Sequence, residues 1–134
     1  MQWNWYYHKS GYARRNTKDG NIHMHRVINK TPIGVYTDHI NRNGLDNRKC
    51  NLRDCSMSEN SVNKRTRTKA SSVYRGVSFS KRYNKFMSVI TFERKRIYIG
   101  LFDKEIDAAL AYNKSALKYH GRFAVLNIIK DQGK

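Results

Sequence analysis

Trp3, Trp5 and Tyr7 alternate with other positions and lead into Ser10-Gly11, after which Tyr12-Ala13-Arg14-Arg15 resumes. Such patterning on both sides of a Ser-Gly pair predicts a β-hairpin. Asp19-Gly20 signals a second turn, and residues 22–28 read as a further strand. Pro32 and Gly34 punctuate the chain before Val35-Tyr36-Thr37, a short strand that delivers Asp38-His39. Residues 41–51 are rich in Asn, Asp and Gly, which bond their own backbone and favour a structured loop. Ser56 and Glu59 have the spacing of a capping box, so a helix should begin near Met57. The order is strand, polar loop, helix.

Residues 64–72 carry no apolar periodicity and read as a linker between two modules of about 65 residues, each near the lower limit for independent folding. In the second module, residues 73–79, 86–92 and 96–101 read as three strands of an antiparallel meander. Asp103 is placed to cap a helix over residues 104–119, with an apolar stripe of Ile106, Ala109, Leu110, Ala116 and Leu117. Gly121 marks its stop, and Phe123, Val125 and Leu126 return to cover the core. The expected partition is 1–66, a basic linker at 67–72, a second domain at 73–128 and a tail at 129–134. The fold class is α+β.

Of the 134 residues, 39% are hydrophobic and 12% aromatic, too many for a disordered chain. No run approaches the ~20 apolar residues that span a bilayer, and no signal-peptide core follows Met1, so no membrane partner and a cytoplasmic location are expected. Cys50 and Cys55 are too few and too close for a disulfide framework or a four-cysteine zinc site, and read as reduced packing residues. Lys plus Arg outnumber Asp plus Glu by 27 to 10, a net charge of +17. The excess is spread over both halves, so both are expected to face one polyanion, bound with an affinity that weakens steeply with salt.

Phosphodiester hydrolysis requires an activated water, a cation to stabilise developing charge, and groups that hold both. His39 can accept the proton, since imidazole titrates near neutrality. Asp38 offers a hard anionic oxygen and Asn60 a neutral amide oxygen; with phosphate oxygens and water they suit one Mg²⁺ or Mn²⁺ better than zinc. On an extended strand Asp38 and His39 point to opposite sides, so one can hold metal while the other faces water. The competing reading is a surface histidine beside a long polar turn. His8 and His23 read as surface residues, His25 as a strand residue or a phosphate contact, and Asn63 as a support lying one helical turn after Asn60.

Asp38-His39-Ile40-Asn41-Arg42-Asn43, Leu45-Asp46-Asn47, Asn51-Leu52-Arg53 and Glu59-Asn60, with His25-Arg26-Val27-Ile28 upstream, resemble the HNH endonucleases of the His-Me finger group, most of all phage-encoded homing endonucleases. The resemblance spans roughly residues 3–65. It implies a ββα-metal module, a β-hairpin followed by a helix, in which His39 is the general base and Asn51 braces the loop and orients His39. Asp38 and Asn60 would bind the divalent cation, and a phage origin would put the protein in the cytoplasm of a host bacterium.

Arg96 and Tyr98 fall on one face of the third strand of the second module, with Ile97, Ile99 and Leu101 on the other. On the second strand Phe86, Ser88 and Ile90 oppose Met87, Val89 and Thr91. The apolar face has the helix as partner, whereas the Arg/Tyr face is left open and a twisted sheet can enter the major groove. Tyr74-Arg75-Gly76-Val77, Lys85-Phe86, the run 96–102, Asp107-Ala108-Ala109, Ala111-Tyr112 and Leu126-Asn127 resemble the Apetala-2-type DNA-binding domain. The resemblance implies DNA contacts from Arg75, Arg96 and Tyr98, with Tyr83 and Lys85 as additions. Ser78, Ser80, Val89 and Thr91 stand where plant members carry Arg or other charged residues, so the target sequence does not transfer.

The expected function is a metal-dependent DNA endonuclease, homing or free-standing, monomeric or weakly dimeric, with double-stranded DNA as partner. The alternative is a non-catalytic, sequence-specific DNA-binding or transcription factor with a nuclease-like module. An RNA-binding protein is a third reading, for which the paired aromatic motifs of RNA-stacking sheets are missing.

Overall fold

Period-two patterning near the N-terminus forms β1 (Tyr6–His8), β2 (Tyr12–Thr17) and β3 (Gly20–His23), an antiparallel sheet of that order. The computed structural model describes residues 4–64 and 70–130, so Trp3, much of the expected linker and most of the expected tail lie outside the described residues. The chain divides into two compact units, Met1–Lys64 and Arg65–Lys134.

In the first unit the strand expected over residues 22–28 ends at His23, and α1 (Met24–Asn29) takes its place. Val27 and Ile28 supply the β-branched signal that suggests a strand, yet both are exposed. Tertiary contacts override that propensity. The Arg26 guanidinium donates to the backbone oxygens of Val35 (2.7 Å) and Pro32 (2.9 Å), and Lys30 closes the helix in the left-handed conformation.

β4 (Tyr36–His39) and β5 (Leu52–Cys55) pair antiparallel in the register Tyr36 to Cys55, Asp38 to Arg53 and His39 to Leu52. Ser56 then caps α2 (Met57–Val62) with both arms of the capping box formed: its hydroxyl accepts from the Glu59 amide, and the Glu59 carboxylate accepts from the Ser56 amide. α2 packs against both strands.

The second unit is a sheet of order β6 (Val77–Ser80), β7 (Lys85–Phe92) and β8 (Lys95–Phe102), covered on one face by α3 (Glu105–His120). Two apolar clusters join sheet and helix. Val77, Ala108 and Ala109 are packed by Phe86 and Phe102, and Ile90, Tyr112 and Ala116 by Ile97 and Ile99. The buried stripe of α3 is therefore Ala108, Ala109, Tyr112 and Ala116, whereas Leu110 and Leu117 are exposed. Asp103 does not cap the helix. Lys104 occupies that position without a side-chain bond, and Asp103 instead pairs with Lys85 at 3.2 Å.

A bulge changes one expected face. Ser88 pairs with Gly100 but Val89 with Tyr98, so Ile99 is an extra residue and the alternation of β8 shifts. Leu101 consequently pairs with Met87, away from the helix, and Phe102 takes the core position opposite Phe86. Ser71 and Ser72, expected in the linker, belong to this unit: Ser71 accepts from the Phe79 amide, and the buried Ser72 donates to Glu105. Asn127 accepts from the Arg75 amide (2.6 Å) and donates to the Arg75 carbonyl (3.0 Å), while Asn113 bonds the backbone of Asn127 the same way. Two amide side chains thus do the work of strand pairing.

Candidate active site

β4 carries Asp38 and His39 into the first unit with both side chains buried. The loop behind them closes on itself through Asn side chains. Asn51 accepts from the Asn41 amide (2.9 Å) and donates to Asn41 Oδ1 (2.9 Å) and to the Asp46 carbonyl (2.8 Å). Asn41 in turn donates to Asp46, whose carboxyl the Arg48 guanidinium holds well below the usual range. A Cβ on Gly44 would collide with the Gly11 carbonyl and the Tyr12 ring, so only glycine lets the loop lie against the first hairpin turn.

Asn47, not Asn51, touches the imidazole: its Oδ1 lies 3.0 Å from His39 Nε2. The same amide donates through Nδ2 to Leu45 O (3.4 Å) and Met24 Sδ (3.3 Å), so Oδ1 is an acceptor only. In its neutral form His39 would therefore donate from Nε2 to this oxygen and leave the lone pair on Nδ1. Asn51 acts on His39 through the backbone, its carbonyl accepting from the Ile40 amide at 2.9 Å.

Two rings meet this imidazole, and a third packs behind them. His25 meets it edge-on at 4.9 Å between centroids, Tyr12 lies at 5.7 Å, and His23 stacks on His25 at 5.2 Å. Thus His25 sits in α1 rather than a strand, and His23 belongs to the cluster. Burial, then the neighbouring His39, His23 and Arg26, lowers the His25 pKa to about 4. Its Nδ1 is buried without a hydrogen-bond partner.

On the other side, Arg53 donates from Nε (2.9 Å) and from its terminal nitrogen (2.7 Å) to Asp38 Oδ2. The buried Asn63 donates to Asp38 Oδ1 (2.9 Å) and to the His39 carbonyl (2.8 Å). A carboxylate has about four acceptor positions, so Oδ1 keeps one without a partner among the described residues. Asn60 lies three residues before Asn63, hence on the same side of α2, half-buried. Among the described residues no group of three or more His, Cys, Asp and Glu side chains could hold a metal. One carboxylate oxygen and one amide oxygen suit a hard cation that takes its other ligands from phosphate and water. Sequence reasoning missed Asn47 and Arg53; the charge opposition of Asp38 and Arg53 becomes visible only once the β4–β5 register is known. Cys55 is buried, its thiol pushed up to about 11 by burial first and the Asp38 and Glu59 carboxylates next, whereas Cys50 is exposed rather than packed.

In the second unit Arg96 and Tyr98 are exposed on the sheet face away from α3. Tyr83 is exposed beneath the Arg82 guanidinium (5.3 Å), and Lys85 is paired with Asp103. Arg75 is half-buried, and burial raises the Tyr112 pKa against the opposing effect of the Arg75 charge. No helix among the described residues is long and apolar enough to cross a membrane.

A protein of Acanthamoeba polyphaga mimivirus, named as an uncharacterized HNH endonuclease, is 33% identical over 134 residues, covering 96% of this chain and 68% of its own length. APETALA2-like protein 2 of Oryza sativa, in both the indica and japonica subspecies, is 43% identical over 61 residues, 44% of this chain and 14% of its own. An AP2-like ethylene-responsive transcription factor of Arabidopsis thaliana is 41% identical over 59 residues, again 44% of this chain but 12% of its own. No protein-family model and no solved structure matches the chain.

Proposed function

This chain belongs to the HNH endonuclease family, and from that premise we propose that it hydrolyses DNA at His39 in a reaction assisted by one divalent cation, its second unit gripping the duplex. The observation that carries this reading is the buried His39, with Nε2 held by Asn47 and the neighbouring Asp38 turned toward α2. In the mechanism, His39 Nδ1 takes a proton from water as its oxygen attacks phosphorus. The bond to the 3′-oxygen breaks and that oxygen takes a proton from solvent water, leaving a 5′-phosphate and a 3′-hydroxyl. Asp38 and Asn60 would hold Mg²⁺ or Mn²⁺, which when bound neutralises charge developing on the phosphate and the leaving oxygen. Arg53 and Asn63 fix the Asp38 carboxylate, and Asn51 fixes the loop that presents Asn47 to His39. These side chains make the β4–β5 hairpin and α2 a ββα-metal site.

The Apetala-2-like share of the chain supports duplex DNA as the partner. Arg96 and Tyr98 on the open sheet face, with Tyr83 and Lys85 at the β6–β7 end of the sheet, supply phosphate and base contacts. Arg75, its backbone clamped by Asn127, would add a further DNA contact.

Supercoiled plasmid incubated with Mg²⁺ or Mn²⁺ tests the reading. Wild type converts it to nicked or linear form, and His39→Ala slows this by about 10²–10⁴-fold, the usual contribution of a general base. Cutting by His39→Ala at the wild-type rate would refute the assignment of the base. A pure protein that binds DNA tightly and never cuts it would instead be a DNA-binding factor.

A further inference from the structure

The N-terminal sheet lies outside the loop and helix that carry the proposed chemistry, yet one of its faces runs into them. Tyr6 pairs with Arg14 and Arg14 with His23, so these three side chains form a row across one face. The neighbouring row on that face is His8 and Tyr12, and the row beyond is Asn16 and Asn21. Tyr12 and His23 close the inner end of this face by packing on His25 at 5.3 and 5.2 Å, and Tyr12 also reaches His39. Arg14 stands two residues, or about 7 Å along the strand, from Tyr12.

Arg14 is prepared for a ligand. Its Nε donates to the Tyr6 hydroxyl (3.2 Å), which itself donates to Asn16 Oδ1 (2.6 Å). That arrangement fixes the guanidinium plane and leaves both terminal nitrogens without a protein partner among the described residues. No carboxylate pairs with Arg14, although Arg48 and Arg53 in the same unit each have one. A planar cation with free paired donors matches two phosphate oxygens, and the aromatic neighbours offer surfaces on which bases stack.

We infer that this face, centred on Arg14 with Tyr6 and Asn16, is a cradle for the DNA strand that is cut, holding the phosphate next to the one presented to His39. The inference rests on the nuclease reading, but it is tested by binding alone. The full chain is titrated against a fluorescein-labelled duplex in EDTA, where cation-assisted cleavage is suppressed, at several salt concentrations. Arg14→Ala should weaken binding at least fivefold and lower the salt slope by about one. Lys18→Ala, which removes the same charge from the β2–β3 turn, should stay within twofold. Arg14→Lys keeps the charge but not the fork and should fall between wild type and Arg14→Ala. Circular dichroism checks that each variant is folded; should Arg14→Ala unfold, Arg14→Gln replaces it with the same expectation. Equal losses for Arg14→Ala and Lys18→Ala, or no loss for either, would overturn the cradle. A folded wild type that binds as expected but never cuts plasmid would refute the nuclease reading and with it the placement beside a scissile phosphate, leaving Arg14 as a DNA contact alone.

Discussion

Asn63 joins the helix of the proposed site to its strand through two hydrogen bonds, one to the Asp38 carboxylate and one to the His39 carbonyl, both in the buried interior of the first unit. A bond to a charged group contributes about 1.5–3 kcal/mol and a neutral one about 0.5–1.5 kcal/mol. Asn63→Ala should therefore cost about 2–4 kcal/mol, a large part of the 5–15 kcal/mol typical of a small domain. The assay is built into the sequence, because the chain's two tryptophans, Trp3 and Trp5, both lie in the first unit. Tryptophan fluorescence during urea unfolding thus follows that unit, whatever the second one does. Ser61→Ala, which removes a single exposed bond from the same helix, serves as the control and should cost about 0.5 kcal/mol or less. A loss below about 1 kcal/mol for Asn63→Ala at unchanged denaturant dependence would refute the view that this amide ties helix to strand.

Protonation of His25 should destabilise the first unit. Its folded pKa of about 4 lies below the 6.5 of an ordinary histidine, so the unfolded chain binds the proton first and stability, fully present above about pH 6.5, falls as pH drops toward 4. His25→Phe should flatten the difference between urea melts at pH 7 and pH 5; an unchanged slope would remove His25 as its source. Gly76 has φ +73, and an added Cβ would strike the Tyr112 ring and the Val89 carbonyl. Gly76→Ala should cost the second unit about 2–5 kcal/mol from combined strain and overpacking, read by far-UV circular dichroism. Glu93 and Arg94 both adopt positive φ in the β7–β8 turn. Replacing them with Asn and Gly should stabilise that unit by about 1 kcal/mol, because these residues suit such a turn, and a lower thermal midpoint would contradict it.

Local signals foretold the elements they alone control. The Ser56/Glu59 spacing marks α2, and the alternation through Arg96, Ile97 and Tyr98 assigns faces to β8. Longer-range register decides the rest. The bulge at Ile99 sends Leu101 to the opposite face, and no residue near it announces this, since the extra position exists only relative to β7. Val27 and Ile28 favour a strand intrinsically, but the grip of Arg26 on distant carbonyls settles a helix. Within the site, Asp38 and His39 stand out by residue type, and Asn51 through the family resemblance. Their partners do not: Arg53 faces Asp38 across the hairpin, and which of several asparagines meets His39 depends on how the loop folds back.

Asn127, which clamps Arg75, also sets an order of events at the ribosome. The bonds from Arg53 and Asn63 that fasten the Asp38 and His39 strand are available once residue 63 has emerged. The second unit, by contrast, has to wait for Asn127, which completes the pairing of Arg75 from 52 residues further along. During synthesis, which proceeds from the N-terminus, the proposed cutting unit can close while the unit that would hold the duplex is still unfinished. A nascent chain halted before Asn127 would thus expose the first without the second.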